Sequence, residues 1–168
     1  MKYSLTRSLI SWGLFLFALT PFLTANAADY RGRLGVGLSN QLMNDLPAIS
    51  FKLQKSRAVS MGAVINASNH ATNGGYGAGL KLYRNIFDEP QLTFYGALLG
   101  AYIDRKTTDK KDKTGFQFDL TMGSEFCFSG LQSLGFSFEF GVSFNKMTDF
   151  VVETVGHNFI TAAVHFYL

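Results

Sequence analysis

Few groups in this sequence can ligate, titrate or attack: three histidines, one cysteine, 15 basic and 12 acidic side chains. His70, His157 and His165 are far apart, and none has a second histidine at ligand spacing, so neither a metal nor a cofactor is expected. Cys127 has no partner for a disulfide. What remains is charge. Arg33, Lys52 and Lys81 lie in the first half of the chain, and Asp119, Glu125 and Glu139 in the second. An unpaired charge in a narrow interior costs several kcal/mol, so three bases and three acids carried into one interior predict an ion-paired plug. That outcome requires elements that turn all six the same way.

The first 27 residues read as an address. Lys2 and Arg7 form a basic start, Leu9 to Leu19 an apolar stretch, and Pro21 precedes Ala25-Asn26-Ala27, an A-x-A cleavage pattern. The stretch is shorter than the ~20 residues of a spanning helix. Residues 1–27 are therefore expected to be a cleaved signal peptide and residues 28–168 one mature domain. Loss of Lys2 and Arg7 leaves 13 basic against 12 acidic residues, so the pI near 9.0 belongs mostly to the leader. No basic patch is left to argue for a nucleic-acid partner. Charged residues make up 16% of the chain while Phe and Gly number 17 each, a balance that excludes disorder.

From Arg31 onward the pattern has period two, the mark of strands with two unlike faces. Phe136, Phe138, Phe140, Val142 and Phe144 share one face against Ser137, Glu139, Gly141 and Ser143. Phe116, Phe118, Leu120, Met122, Phe126 and Phe128 oppose Gln117, Asp119, Thr121, Gly123 and Glu125. Ile160, Val164, Phe166 and Leu168 oppose Thr161, His165 and Tyr167. Shorter runs centre on Val36, Phe51, Met61 and Leu80, with Arg33, Lys52 and Lys81 on their small, polar faces. Leu92 to Ile103 is apolar on both faces, and Tyr95, Ala97, Leu99, Ala101 and Ile103 are read as facing outward. The total is eight strands.

A soluble sandwich also alternates, but here the polar face is Gly, Ser, Thr and Ala with single charges, while the other holds rows of Phe. Small residues suit a crowded lumen, and an uncharged outer face suits lipid. At ~10 residues per membrane strand, eight strands use about 80 of the mature residues. The connections 55–57, 84–91 and 129–133 are the shorter set and 40–47, 67–75, 104–114 and 146–157 the longer, as expected for inner turns and outer loops. The expected fold is thus all-β: an eight-stranded antiparallel up-and-down transmembrane β-barrel.

On these features the mature chain resembles the small eight-stranded outer-membrane barrels, the type of the outer-membrane protein A transmembrane domain and the outer-membrane protein X family. The resemblance implies a monomer in the cell outer membrane of a Gram-negative envelope. It also implies delivery by periplasmic chaperones and a C-terminal strand, here Gly156, Ile160, Val164, Phe166 and Leu168, read by the barrel assembly machinery. The final residue is Leu where Phe is commoner. Barrels of this type include lipid A modifying enzymes, and the deacylase type carries His-x-Ser. This chain has His70-Ala71-Thr72, His157-Asn158-Phe159 and His165-Phe166-Tyr167, so no enzyme is expected. A soluble lipocalin-like barrel holding an apolar ligand is the other alternative; it needs the Phe rows inside.

The expected role is structural, surface-interacting or that of a narrow gate, since eight strands leave an interior that side chains fill. His165 reads as a hydrogen-bonded interior histidine, and His70 and His157 as loop residues. Arg105, Lys106, Lys110, Lys111 and Lys113 outnumber Asp104, Asp109 and Asp112 in one outer loop, which is expected to face lipopolysaccharide phosphates. Residues 150–155 are β-prone and extend the last hairpin. Tyr30, Tyr83, Phe87, Phe128 and Tyr167 are expected in an inner aromatic girdle, and Tyr76, Tyr102, Phe116 and Phe144 in an outer one.

Overall fold

A computed structural model describes residues 29–70, 73–106, 112–156 and 159–168. The expected leader, Lys110, Lys111 and His157 lie outside the described residues. Strands form at β1 (Leu34–Ser39), β2 (Ala48–Gln54), β3 (Val59–Ser68), β4 (Gly75–Glu89), β5 (Leu92–Lys106), β6 (Asp112–Cys127), β7 (Leu134–Lys146), β8 (Phe150–Thr154) and β9 (Ile160–Tyr167). Among the described residues there is no helix.

Strands β1 to β7 pair antiparallel with their sequence neighbours, and β9 closes the sheet by pairing with both β7 and β1. β8 continues the β9 position along β7, so the barrel has eight wall positions. Thr154 faces Val142 and Ile160 faces Phe140, so Gly141 alone separates the two pairings on β7. The backbone turns left-handed there at Gly156 (φ 67°) and Phe159 (φ 75°). Followed from Leu38 through Ile49, Ile65, Ala78, Tyr102 and Phe116, the pairing reaches Lys146 on β7. Followed the other way, through Val164, it reaches Phe136, ten residues off. A stagger of that size over eight strands tilts them by roughly 40°.

Closure depends on two glycines of β1. A Cβ on Gly37 would lie 1.6 Å from the Val164 carbonyl oxygen, and one on Gly35 2.9 Å from the Tyr167 ring. No other residue lets β9 approach so closely.

The alternation sorts the residues by size. Leu38, Leu80, Leu82, Phe116, Phe118, Leu120, Phe138, Ile160 and Phe166 face outward and are exposed. Ser50, Lys52, Lys81, Asp119, Thr121, Glu125, Glu139, Thr161 and His165 face inward and are buried. The reading of β5 is corrected. Tyr95, Ala97, Leu99, Ala101 and Ile103 are buried inside, while Leu98 and Tyr102 face out. A strand apolar on both faces carries no parity signal of its own, and its neighbours decide. Leu99 pairs with Lys81 on one side and Asp119 on the other, and directly paired residues share a face.

The inner girdle is corrected as well: Tyr30, Tyr83 and Tyr167 are buried in the lumen, whereas Phe87 and Phe128 are exposed. Two connections also differ from expectation. Residues 84–91 are mostly strand, with β4 and β5 meeting at a tight turn of Pro90 and Gln91. The segment from Asn40 to Pro47 is no free outer loop, because Gln41, Leu42, Met43 and Asn44 fold into the barrel and are buried. Wall height is uneven: β1 and β2 have 6 and 7 residues, β4, β5 and β6 have 15, 15 and 16. Beside the short strands an apolar hollow is lined by Leu38, Pro47, Ala162 and Val164.

Candidate functional site

Side chains fill the lumen below the mouth. At the inner end Tyr30 stacks on Tyr167, ring centroids 3.9 Å apart, and burial pushes the Tyr30 phenol above its ordinary range. Beside it, in solvent, the Arg31 guanidinium hydrogen-bonds the Asp29 carboxyl and holds it down at about 2. The Tyr167 hydroxyl donates to Glu125 at 2.5 Å, and Glu125 is also ion-paired with Lys52. The Lys52 ammonium lies 4.6 Å from the centre of the Tyr83 ring and 4.8 Å from that of Tyr95, two aromatic faces that add cation–π attraction in a water-poor interior.

A second layer centres on Glu139. Its carboxylate accepts from Lys81 at 2.6 and 2.7 Å, from the Thr121 hydroxyl at 2.8 Å and from the Tyr95 hydroxyl at 2.9 Å. Lys81 also donates to Gln41 of the infolded segment. Gln41 in turn donates to Asp119 at 2.9 Å, and the Gln117 amide donates to the same carboxylate at 2.8 Å. Gln117 accepts from the backbone of Met43 at 2.9 Å and donates to that of Gln41 at 3.1 Å. The plug is therefore wired into the lumen by polar bonds. Above, Leu42 and Met43 pack with Val64, Leu99 and Ile103 into an apolar cap.

Of the six charges singled out from the sequence, the structure joins Lys52 to Glu125 and Lys81 to Glu139. Asp119 is held by amides. Arg33 stands apart at the inner rim, where it donates to the carbonyl oxygens of Tyr167 (2.8 Å) and Leu168 (3.2 Å) and to the Ser133 hydroxyl (3.1 Å). Gln117 shares the inward parity of Asp119, and Tyr83 that of Lys81; Tyr95, on a strand apolar on both faces, and Gln41, without periodic context, carry no such signal.

His165 shares a hydrogen bond of 2.9 Å with the Ser50 hydroxyl, both fully buried. A serine and a base at this distance make half of a hydrolytic apparatus. Here the other ring nitrogen of His165 has no partner to orient it, and neither residue lines the mouth cavities. Among the described residues no cluster of His, Cys, Asp and Glu fit to hold a metal occurs.

At the outer end Arg105 pairs with Asp45 of the plug at 2.7 Å, and Arg105, Lys106 and Lys113 border a cavity in the mouth. Of the C-terminal residues, Ile160, Val164, Phe166 and Leu168 all face outward. No protein-family model, no curated protein and no solved structure matches this chain.

Proposed function

We propose that the mature chain is a monomeric integral barrel of a Gram-negative outer membrane, without enzymatic activity, which seals its own lumen and serves structural and surface roles. One observation carries this reading: apart from Arg84 on β4, the outward rows of the wall are apolar and exposed through its middle, while Lys52, Lys81, Asp119, Glu125 and Glu139 are turned inward. Water disfavours such an outer surface and hydrocarbon favours it. The lipocalin-like alternative needs the Phe rows inside, and they lie outside. Two ion-paired layers, an infolded segment and an apolar cap support sealing over gating.

Detergent-extracted membranes run with and without boiling test the reading. A boiling-dependent change of migration is expected, and wild-type protein in planar bilayers is expected to show no steady conductance. Recovery of the mature chain in a detergent-free soluble fraction overturns the membrane reading, and a steady open level overturns the seal. Expression is also expected to leave the lipid A mass spectrum unchanged; a deacylated or newly acylated species overturns the non-enzymatic assignment.

A further inference from the structure

We infer that the outer mouth is a blind cup that binds a phosphorylated sugar. The cavity there measures about 470 Å3 and is bordered by Arg105, Lys106, Lys113, Asn73, Asn145 and Asp149. That size falls within the roughly 300–1,000 Å3 of small-ligand sites. Three cations face one carboxylate in the lining, so the cup favours an anion. Arg105 and Lys113 are direct cross-strand partners, and they continue the inward rows of β5 and β6. Both therefore border the mouth and not the outer wall.

Like charges set directly opposite each other repel. Asp45 offsets Arg105, whereas Lys106 and Lys113 have no ion pair among the described residues. A phosphate placed between Arg105 and Lys113 relieves that repulsion, and concave, poorly polarisable walls strengthen the field it meets. Thr148 and Asn73 offer hydroxyl and amide groups suited to sugar hydroxyls, while the Asn145 amide donates to Glu153 at 2.6 Å. The cup has a floor: Met147 lines it and packs on the apolar cap of the lumen. A ligand entering from outside is held there and does not pass. The phosphate can come from a soluble sugar phosphate or from a lipopolysaccharide sugar. Lys106, on the outward row and shared with a second cavity beside Tyr76, is the residue placed to reach the lipid-borne source.

The test is calorimetric titration of the folded barrel in detergent with glucose 6-phosphate and with glucose. A parallel competition uses vesicles with and without lipopolysaccharide. Glucose 6-phosphate is expected to bind at least about tenfold more tightly than glucose, with affinity falling as salt is raised. Lys113→Gln is expected to weaken it by about tenfold. Competition by lipopolysaccharide vesicles that is lost in Lys106→Gln assigns the lipid-borne source, and its absence beside tight glucose 6-phosphate binding assigns the soluble one. Equal affinity in wild type and the double variant K106Q/K113Q, or no binding of either phosphate source, overturns the inference. The cup belongs to the barrel whatever surrounds it, so a barrel that shifts on boiling yet binds no phosphate fails this inference alone.

Discussion

Lys81→Met is expected to destabilise the folded barrel by about 3–5 kcal/mol, because it leaves a buried carboxylate without its cation. Glu139 would keep only the hydroxyls of Thr121 and Tyr95, two neutral donors for a full negative charge. The same change releases Gln41 and so loosens the plug from the wall. Urea unfolding of the barrel in lipid vesicles, followed by migration without boiling, measures the loss. The double variant K81M/E139L removes both charges and is expected to recover most of it. What it leaves behind is the Tyr95 hydroxyl and the Gln41 amide oxygen without partners, at about 1 kcal/mol each, while the Thr121 hydroxyl keeps the Ala97 carbonyl at 3.5 Å. Equal instability of single and double variants would show that the pair matters as packing and not as charge.

Gly37→Val is expected to abolish closure altogether. The clash is with backbone, the Val164 carbonyl, so no rotamer change relieves it. β1 must then move away from β9, and a barrel that cannot close exposes two unpaired edges, which hydrocarbon does not tolerate. The readout is loss of the boiling-sensitive band and accumulation of aggregated chain. Gly100→Ala is the matched control: a Cβ there meets nothing within 4 Å and faces outward. It is expected to assemble like wild type. Normal migration of Gly37→Val would mean that the β1 to β9 seam is looser than its register implies.

Most of the wall was legible because alternation is a two-state signal wherever the faces differ. Phe136 to Phe144 against Glu139 and its small neighbours leaves no doubt about which side is crowded. β5 defeated the method for the converse reason: Tyr95 and Leu98 are both apolar, and only pairing with Lys81 and Asp119 orients them. The three tyrosines were misplaced because a phenol suits an interface and a polar lumen equally well by composition. Its partner decides, and Glu125 is 42 residues from Tyr167. The infolding of Gln41 to Asn44 had no local signature at all. It depends on the space left between Asp119, Gln117 and Lys81, which exists only once the stagger is fixed, and stagger arises from pairing and not from period.

The unequal wall has a consequence for anything that surrounds the barrel. At about 3.3 Å per residue and the tilt derived above, 6 residues of β1 rise about 15 Å along the axis and 15 residues of β5 nearly 40 Å. A hydrocarbon band of about 25 Å matches neither side. Placed in a bilayer, the molecule meets too much thickness on one flank and too little on the other, and it is expected to lean toward its short flank and thin the lipid beside Leu38 and Val164. The lipid deformation is then directional, giving a cylinder without specific lateral contacts a front and a back in the membrane plane.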